Sequence, residues 1–239
     1  MREFFNRVED GYEILVEIEP NAYAYSNKYG WLLSIFIKFD ATDDTKEGFE
    51  EFLETKESLI IALEHDKKAK YVGSRFIDGW SELYFYAVDS KELDKLVANI
   101  LAPSSYVYES HVVRDSKWDF HHKNLEPTEL ELTHIQSNKI IYLLEEEGDV
   151  LSIIRPVEHY ISFDTPTQKE RFLHNLELEG FTFKDEISSD EFENGIALLK
   201  EHAVTQEEVQ KNVQELFKAI KKENGYYEGW STILANEED

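Results

Sequence analysis

The chain has 239 residues, 41% of them hydrophobic, and 50 Asp and Glu stand against 25 Lys and Arg, a formal charge of −25 at pH 7. That length suits two domains of ordinary size, and so acidic a surface repels phosphate backbones, which excludes direct nucleic-acid binding unless a basic patch is concentrated somewhere. The absence of cysteine removes disulfides, thiolate metal sites and cysteine nucleophiles, and the longest apolar runs, Trp31 to Ile37 and Ile140 to Leu144, fall far short of the ~20 residues that span a bilayer.

Met1 leads into Arg2, Glu3 and Asn6 without the apolar stretch of a secretory signal, so a soluble cytoplasmic protein is expected. Tyr12 to Ile18 alternates enough for one additional strand on the first sheet. Trp31 to Ile37 is a continuous apolar run with the β-branched and aromatic content of a strand buried on both faces. From Glu47 to His65 the residues Phe49, Phe52, Leu53, Ile60 and Leu63 recur at helical spacing. Tyr71 to Ile77 and Ser81 to Val88 flank Asp78-Gly79, a pair suited to the positive φ values of a tight hairpin. Ser90 is placed to cap a helix carrying Leu93, Leu96, Val97, Ile100 and Leu101, which Pro103 closes before a strand from Tyr106 to Val113.

The second half repeats this order. Pro127 to Glu147 is acidic and roughly periodic, and reads as a helical connector. Val157 to Phe163 is a strand. Thr165-Pro166-Thr167-Gln168 then combines an N-cap, a proline at the first helical position and a capping-box Gln, ahead of Phe172, Leu173 and Leu176, with Gly180 as the helix stop. Strands follow at Phe181 to Ile187 and Ile196 to Ala203. Thr205-Gln-Glu-Glu208 makes a second capping box and opens a helix carrying Val209, Val213, Leu216, Phe217 and Ile220, which stops at Gly225, and Gly229 to Leu234 closes as a strand. The expected fold class is α+β, two tandem ferredoxin-like (βαββαβ) sandwiches joined by a helical connector. The corresponding domains are residues 1–126, the connector 127–148 and residues 149–239.

No glycine-rich phosphate loop and no G-x-S-x-G elbow occurs, so nucleotide cofactors and serine hydrolase chemistry are not expected. His111, Asp115, Asp119, His121 and His122 form the best metal candidate, since Asp115, Asp119 and His122 would share a face of a helix. In a chain this acidic we read them as capping and surface hydrogen-bonding groups, and expect no metal and no cofactor. Aromatic residues cluster at Trp80 with Tyr84, Phe85 and Tyr86, and at Tyr226-Tyr227-Glu228-Gly229-Trp230. The second cluster puts large rings on both strand faces around a glycine, which suits a protein interface.

Arg155-Pro-Val-Glu-His159, Phe163, Phe172, Leu176, Gly180-Phe181 and Gly225 to Trp230 stand in the order found in the bacterial regulator of ribonuclease E activity B family. Roughly Asp149 to Leu234 resembles that family, whose pattern ends in Tyr-Asp-Gly-Trp where this chain has Glu228 for the acid. Tyr71-Val-Gly, Phe85-Tyr86 and Arg114-Asp-Ser-Lys-Trp118 are similar to an uncharacterised bacterial domain that occurs fused ahead of it. The resemblance implies a non-enzymatic acidic protein that modulates RNA turnover by contact with an endoribonuclease, without acting on RNA. Arg155, His159, Tyr227, Glu228 and Trp230 are the expected partner-binding residues, on one surface. An intramolecular Arg155–Glu228 ion pair, with His159 and Trp230 closing the core, is the competing reading. A metal- or small-ligand-binding enzyme domain in the first half, or a structural oligomerising role, are the alternatives for the protein.

Overall fold

The computed structural model describes residues 2–38, 46–188 and 193–236. The chain divides into two compact units, Met1–Pro127 and Thr128–Asp239. Both are α+β, each built on one antiparallel sheet. Among the described residues no helix is long and apolar enough to cross a membrane.

In the first unit the elements are β1 (Glu3–Glu9), β2 (Tyr12–Ile18), β3 (Trp31–Lys38), α1 (Lys46–Glu64), β4 (Ala69–Ile77), β5 (Trp80–Ala87), α2 (Leu93–Leu101), β6 (Tyr108–Arg114) and α3 (Asp119–Asn124). The strands run in the order β1-β2-β4-β5-β3-β6. Because strand residues alternate between faces, Leu33, Ile35 and Ile37 point to the side where α1 lays Phe52, Leu59, Ile60 and Leu63, and α2 lays Leu93, Val97 and Leu101. The opposite face carries Tyr84 and Tyr86, covered by Phe120 and Trp118 around α3. Asp78 and Gly79 adopt φ of 47° and 74°, the hairpin geometry expected of that pair.

Three features differ from the sequence reading. Polar β1 was not anticipated; it pairs with β2 across Asp10-Gly11, a second turn of the same chemistry with φ of 51° and 86°. Glu92 at φ 60°, not Ser90, precedes α2, and no side chain caps it. The last strand begins at Tyr108 rather than Tyr106, and the short helix α3 follows it.

The second unit contains α4 (Glu129–Glu146), β7 (Arg155–Phe163), α5 (Pro166–His174), β8 (Thr182–Ile187), β9 (Asn194–His202), α6 (Gln206–Lys222) and β10 (Tyr226–Thr232), with the sheet ordered β10-β7-β9-β8. Thr165 and Gln168 form the expected capping box, and Thr128 with Glu131 forms another at the start of α4. Thr205 accepts from the Glu208 N–H. Helix α5 stops at His174, well before Gly180. The helix read as a connector packs as part of this unit: Ile141 shares a core cluster with Val157, Val204, Val209, Val213 and Trp230. A neighbouring cluster joins Ile161, Phe163 and Leu198 to Phe172 of α5 and to Leu216 and Ile220 of α6. All three helices therefore lie on one face of the sheet.

Candidate functional site

Strand alternation decides where the motif residues of β7 and β10 point. Arg155, Val157, His159, Ile161 and Phe163 share the helix-covered face. Trp230 sits opposite His159 and Tyr227 opposite Ile161, with a bulge between Tyr227 and Gly229. Arg155, His159 and Trp230 are 4%, 0% and 4% exposed. The Arg155 guanidinium donates to both carboxylate oxygens of Asp149 at 2.9 and 2.6 Å, and Asp149 also accepts from the Ala235 N–H at 3.0 Å. Trp230 Nε1 donates to Ser137 Oγ of α4 at 3.1 Å.

His159 is the centre of a hydrogen-bonded row. His202 Nδ1 donates to the Ala203 carbonyl at 2.7 Å, which leaves its Nε2 as an acceptor. His159 Nε2, 3.1 Å away, therefore donates to it, and His159 Nδ1 accepts from the Tyr227 hydroxyl at 2.8 Å. Every member is neutral. Burial pushes the His159 pKa down to about 3, helped by His202 and Lys200. Burial also lowers the His202 pKa and raises that of Tyr227. A sealed, neutral row of this kind orients side chains and sets strand register. It presents no nucleophile or acid to a substrate.

The other face of this sheet is different in kind. Pro156, Glu158, Tyr160 and Ser162 of β7 point to it, as do Leu199 and Glu201 of β9. Ser162 Oγ hydrogen-bonds Glu228, which is exposed, and the Tyr160 hydroxyl lies 2.7 Å from Ser231 Oγ. Glu158 pairs with Lys184 of β8. Carboxylates thus outnumber ammonium groups on a face that no described helix of this unit covers.

Of the five residues expected to share one exposed surface, Glu228 alone is exposed, Tyr227 is half-buried, and Arg155, His159 and Trp230 are in the core. Arg155 pairs with Asp149 instead of Glu228, because Glu228 leaves the bulge on the opposite face. The row is completed by His202, and the anchors by Asp149 and Ser137, which sequence reasoning missed. Only His202 had a signal available, since it lies on the same face of β9 as Leu198, opposite Arg155.

In the first unit the residues of Arg114 to Trp118 hold α3 against the sheet. Asp115 accepts from the Tyr86 hydroxyl at 2.6 Å and from the Asp119 and Phe120 N–H groups at 3.0 Å each, and burial notwithstanding these bonds keep its pKa low. Trp118 is fully buried, stacks on Tyr86 with centroids 3.9 Å apart, and donates from Nε1 to the Tyr29 carbonyl at 2.6 Å. The five candidate metal residues do not converge. His111 is on β6 beside Glu109, and Asp115 is spent on capping. His121 and His122 are brought together with Glu126 instead, their ligand atoms all within 4.8 Å of one another.

Residues 4–125 match the model of a family described as a family of unknown function (DUF695). The chain belongs to the DUF695 family. Residues 134–232 match a second model, described as Regulator of ribonuclease activity B, so the pair of domains that the sequence resembles is present. No curated protein matches the chain. Of the motifs that carried the resemblance of the DUF695 half, Tyr86, Asp115 and Trp118 stack on, cap and anchor α3, while Phe85 packs in the core on the other face of the sheet. The second match starts within α4, at His134, consistent with the packing of that helix onto Val157 and Trp230.

Proposed function

We propose that the second unit is a non-enzymatic regulator that contacts an endoribonuclease of the ribonuclease E type and thereby modulates RNA turnover, without binding RNA itself. The match over residues 134–232 to the ribonuclease-regulator family is the observation that carries this reading. Ferredoxin-like folding of both units is part of it, supported by the strand orders β4-β5-β3-β6 and β8-β9-β7-β10, in which the first and third strands of each βαββαβ run are central. The uncovered face bearing Glu158, Glu201 and Glu228 is the contact surface in this reading, matched to a basic patch on the enzyme. Glu228 touches the partner. Arg155, His159, Tyr227 and Trp230 act from beneath, fixing the register and bulge that aim it.

Purified endoribonuclease passed over the immobilised full chain tests the reading. At about 0.1 M salt the enzyme is retained, and at about 1 M, where the screening length falls from about 10 to about 3 Å, it is released; RNA alone is retained at neither. Retention of RNA alone, or no retention of the enzyme at low salt, overturns it.

A further inference from the structure

We infer that the first unit holds one zinc ion through His121, His122 and Glu126, a site independent of the ribonuclease reading. The three donors lie within 4.8 Å of one another, and His122 Nδ1 is already 2.7 Å from Glu126 Oε2. Tetrahedral zinc with bonds of 2.0–2.2 Å sets its ligand atoms about 3.4 Å apart, so small rotations of the exposed His122 and Glu126 side chains complete the geometry. His121 supplies the independent sign. It is 8% exposed, and its Nδ1 is buried with no hydrogen-bond partner, an arrangement that folded proteins avoid unless something else satisfies the nitrogen.

The scaffold around the three donors is rigid. Asp115 and Trp118 fix the start of α3 as described, the His121 carbonyl accepts from the Leu125 and Glu126 N–H groups at 3.0 Å each, and Arg7 donates to the Asn124 and Glu126 carbonyls at 3.2 and 2.8 Å. The Tyr23 ring packs 4.9 Å from that of His122. Two imidazoles with one carboxylate select a borderline transition metal over calcium or magnesium, which take oxygen ligands. Three protein ligands leave a fourth position for water or a small anion.

The test uses the full chain, stripped by chelator, dialysed and titrated calorimetrically with zinc, with cobalt(II) absorption as a second readout. One zinc per chain is expected, together with the strong visible bands of four- or five-coordinate cobalt. His122→Ala and Glu126→Gln, both at exposed positions, each weaken binding ~10-fold or more, and His111→Ala on β6 leaves it unchanged. Absence of stoichiometric zinc, or zinc held equally by folded His122→Ala, overturns the site; the latter marks adventitious binding to surface carboxylates.

Discussion

His159 is the residue whose chemistry is most constrained, because all its neighbours in the row are neutral and it is sealed from water. Its folded-state pKa of about 3 lies below the ordinary value of 6.5. The unfolded chain therefore binds a proton that the folded chain refuses as pH falls below 6.5, so stability drops with falling pH down to about 3, by about 1.4 kcal/mol per pH unit. Denaturant melts of the parent and of His159→Gln between pH 7 and 5 check this: the parent loses the larger stability over that range. Parallel curves would show that His159 is not held neutral. Trp230→Ala removes a buried ring and strands Ser137, and a loss of about 3–5 kcal/mol follows, read from the denaturant midpoint. The aromatic cluster at Tyr226 to Trp230 was visible in the sequence, but not the face each ring takes. A bulge at Tyr227/Gly229 shifts the alternation by one residue; Gly229, at φ 129°, is the one local cue to it, since an isolated glycine in a strand marks a bulge without fixing which ring then faces inward.

At the scale of elements, β10 depends on how α6 ends. A Cβ on Gly225 would lie 2.5 and 2.7 Å from Cε1 and Cδ1 of Phe163 and 3.0 Å from Cγ2 of Ile220. Gly225→Ala thus forces the buried Phe163 to move and costs about 1–3 kcal/mol by overpacking, measurable as a lowered denaturant midpoint at unchanged slope. The sequence marked Gly225 as a helix stop, yet its stricter requirement is this close approach to a core ring. Elements with strong local chemistry were legible: the 165–168 capping box, the Asp78-Gly79 hairpin, and the apolar β3. Those missed had none. The β1 residues Phe4 and Val8 face solvent, so the strand shows no apolar stripe and is held by pairing with β2. The six residues of α3 are too few for a periodic signal. Their position comes from Asp115, Trp118 and Tyr86, which are far apart in sequence or read as surface groups.

Across the whole molecule, the surplus of 25 acidic over basic side chains is not spread to keep charges out of the interior. Glu17 and Lys56 are each 6% exposed and pair with one another, with Ser74 Oγ 3.2 Å from the ammonium and the Tyr71 hydroxyl donating to Glu17 at 3.1 Å. Lys56→Met leaves the buried Glu17 carboxylate with Arg2, 3.4 Å away, as its remaining cation, and a loss of about 3 kcal/mol is expected, against a smaller one for the double change Lys56→Met/Glu17→Leu, both read by thermal or denaturant unfolding. Composition reported the charge but not its division between such internal pairs and a sheet face that no described helix of its own unit covers, since that division depends on which strand face the helices cover. The same dependence made the α+β class legible and the proposed contact surface not: the class follows from the kinds of element and their order, whereas Glu158, Glu201 and Glu228 share one face only through the registers of β7, β9 and β10.

The central claim, that this acidic face restrains a ribonuclease, is tested most directly by the rate at which a purified ribonuclease E-type enzyme cleaves RNA in the presence of the full chain. Added parent protein slows cleavage in a saturable manner, and Glu201→Lys/Glu228→Lys, with the fold retained by circular dichroism, requires ~10-fold or more higher concentration for the same effect, as like charges now face the basic partner. Cleavage unaffected by the parent, or slowed equally by the charge-reversed protein, would contradict the account.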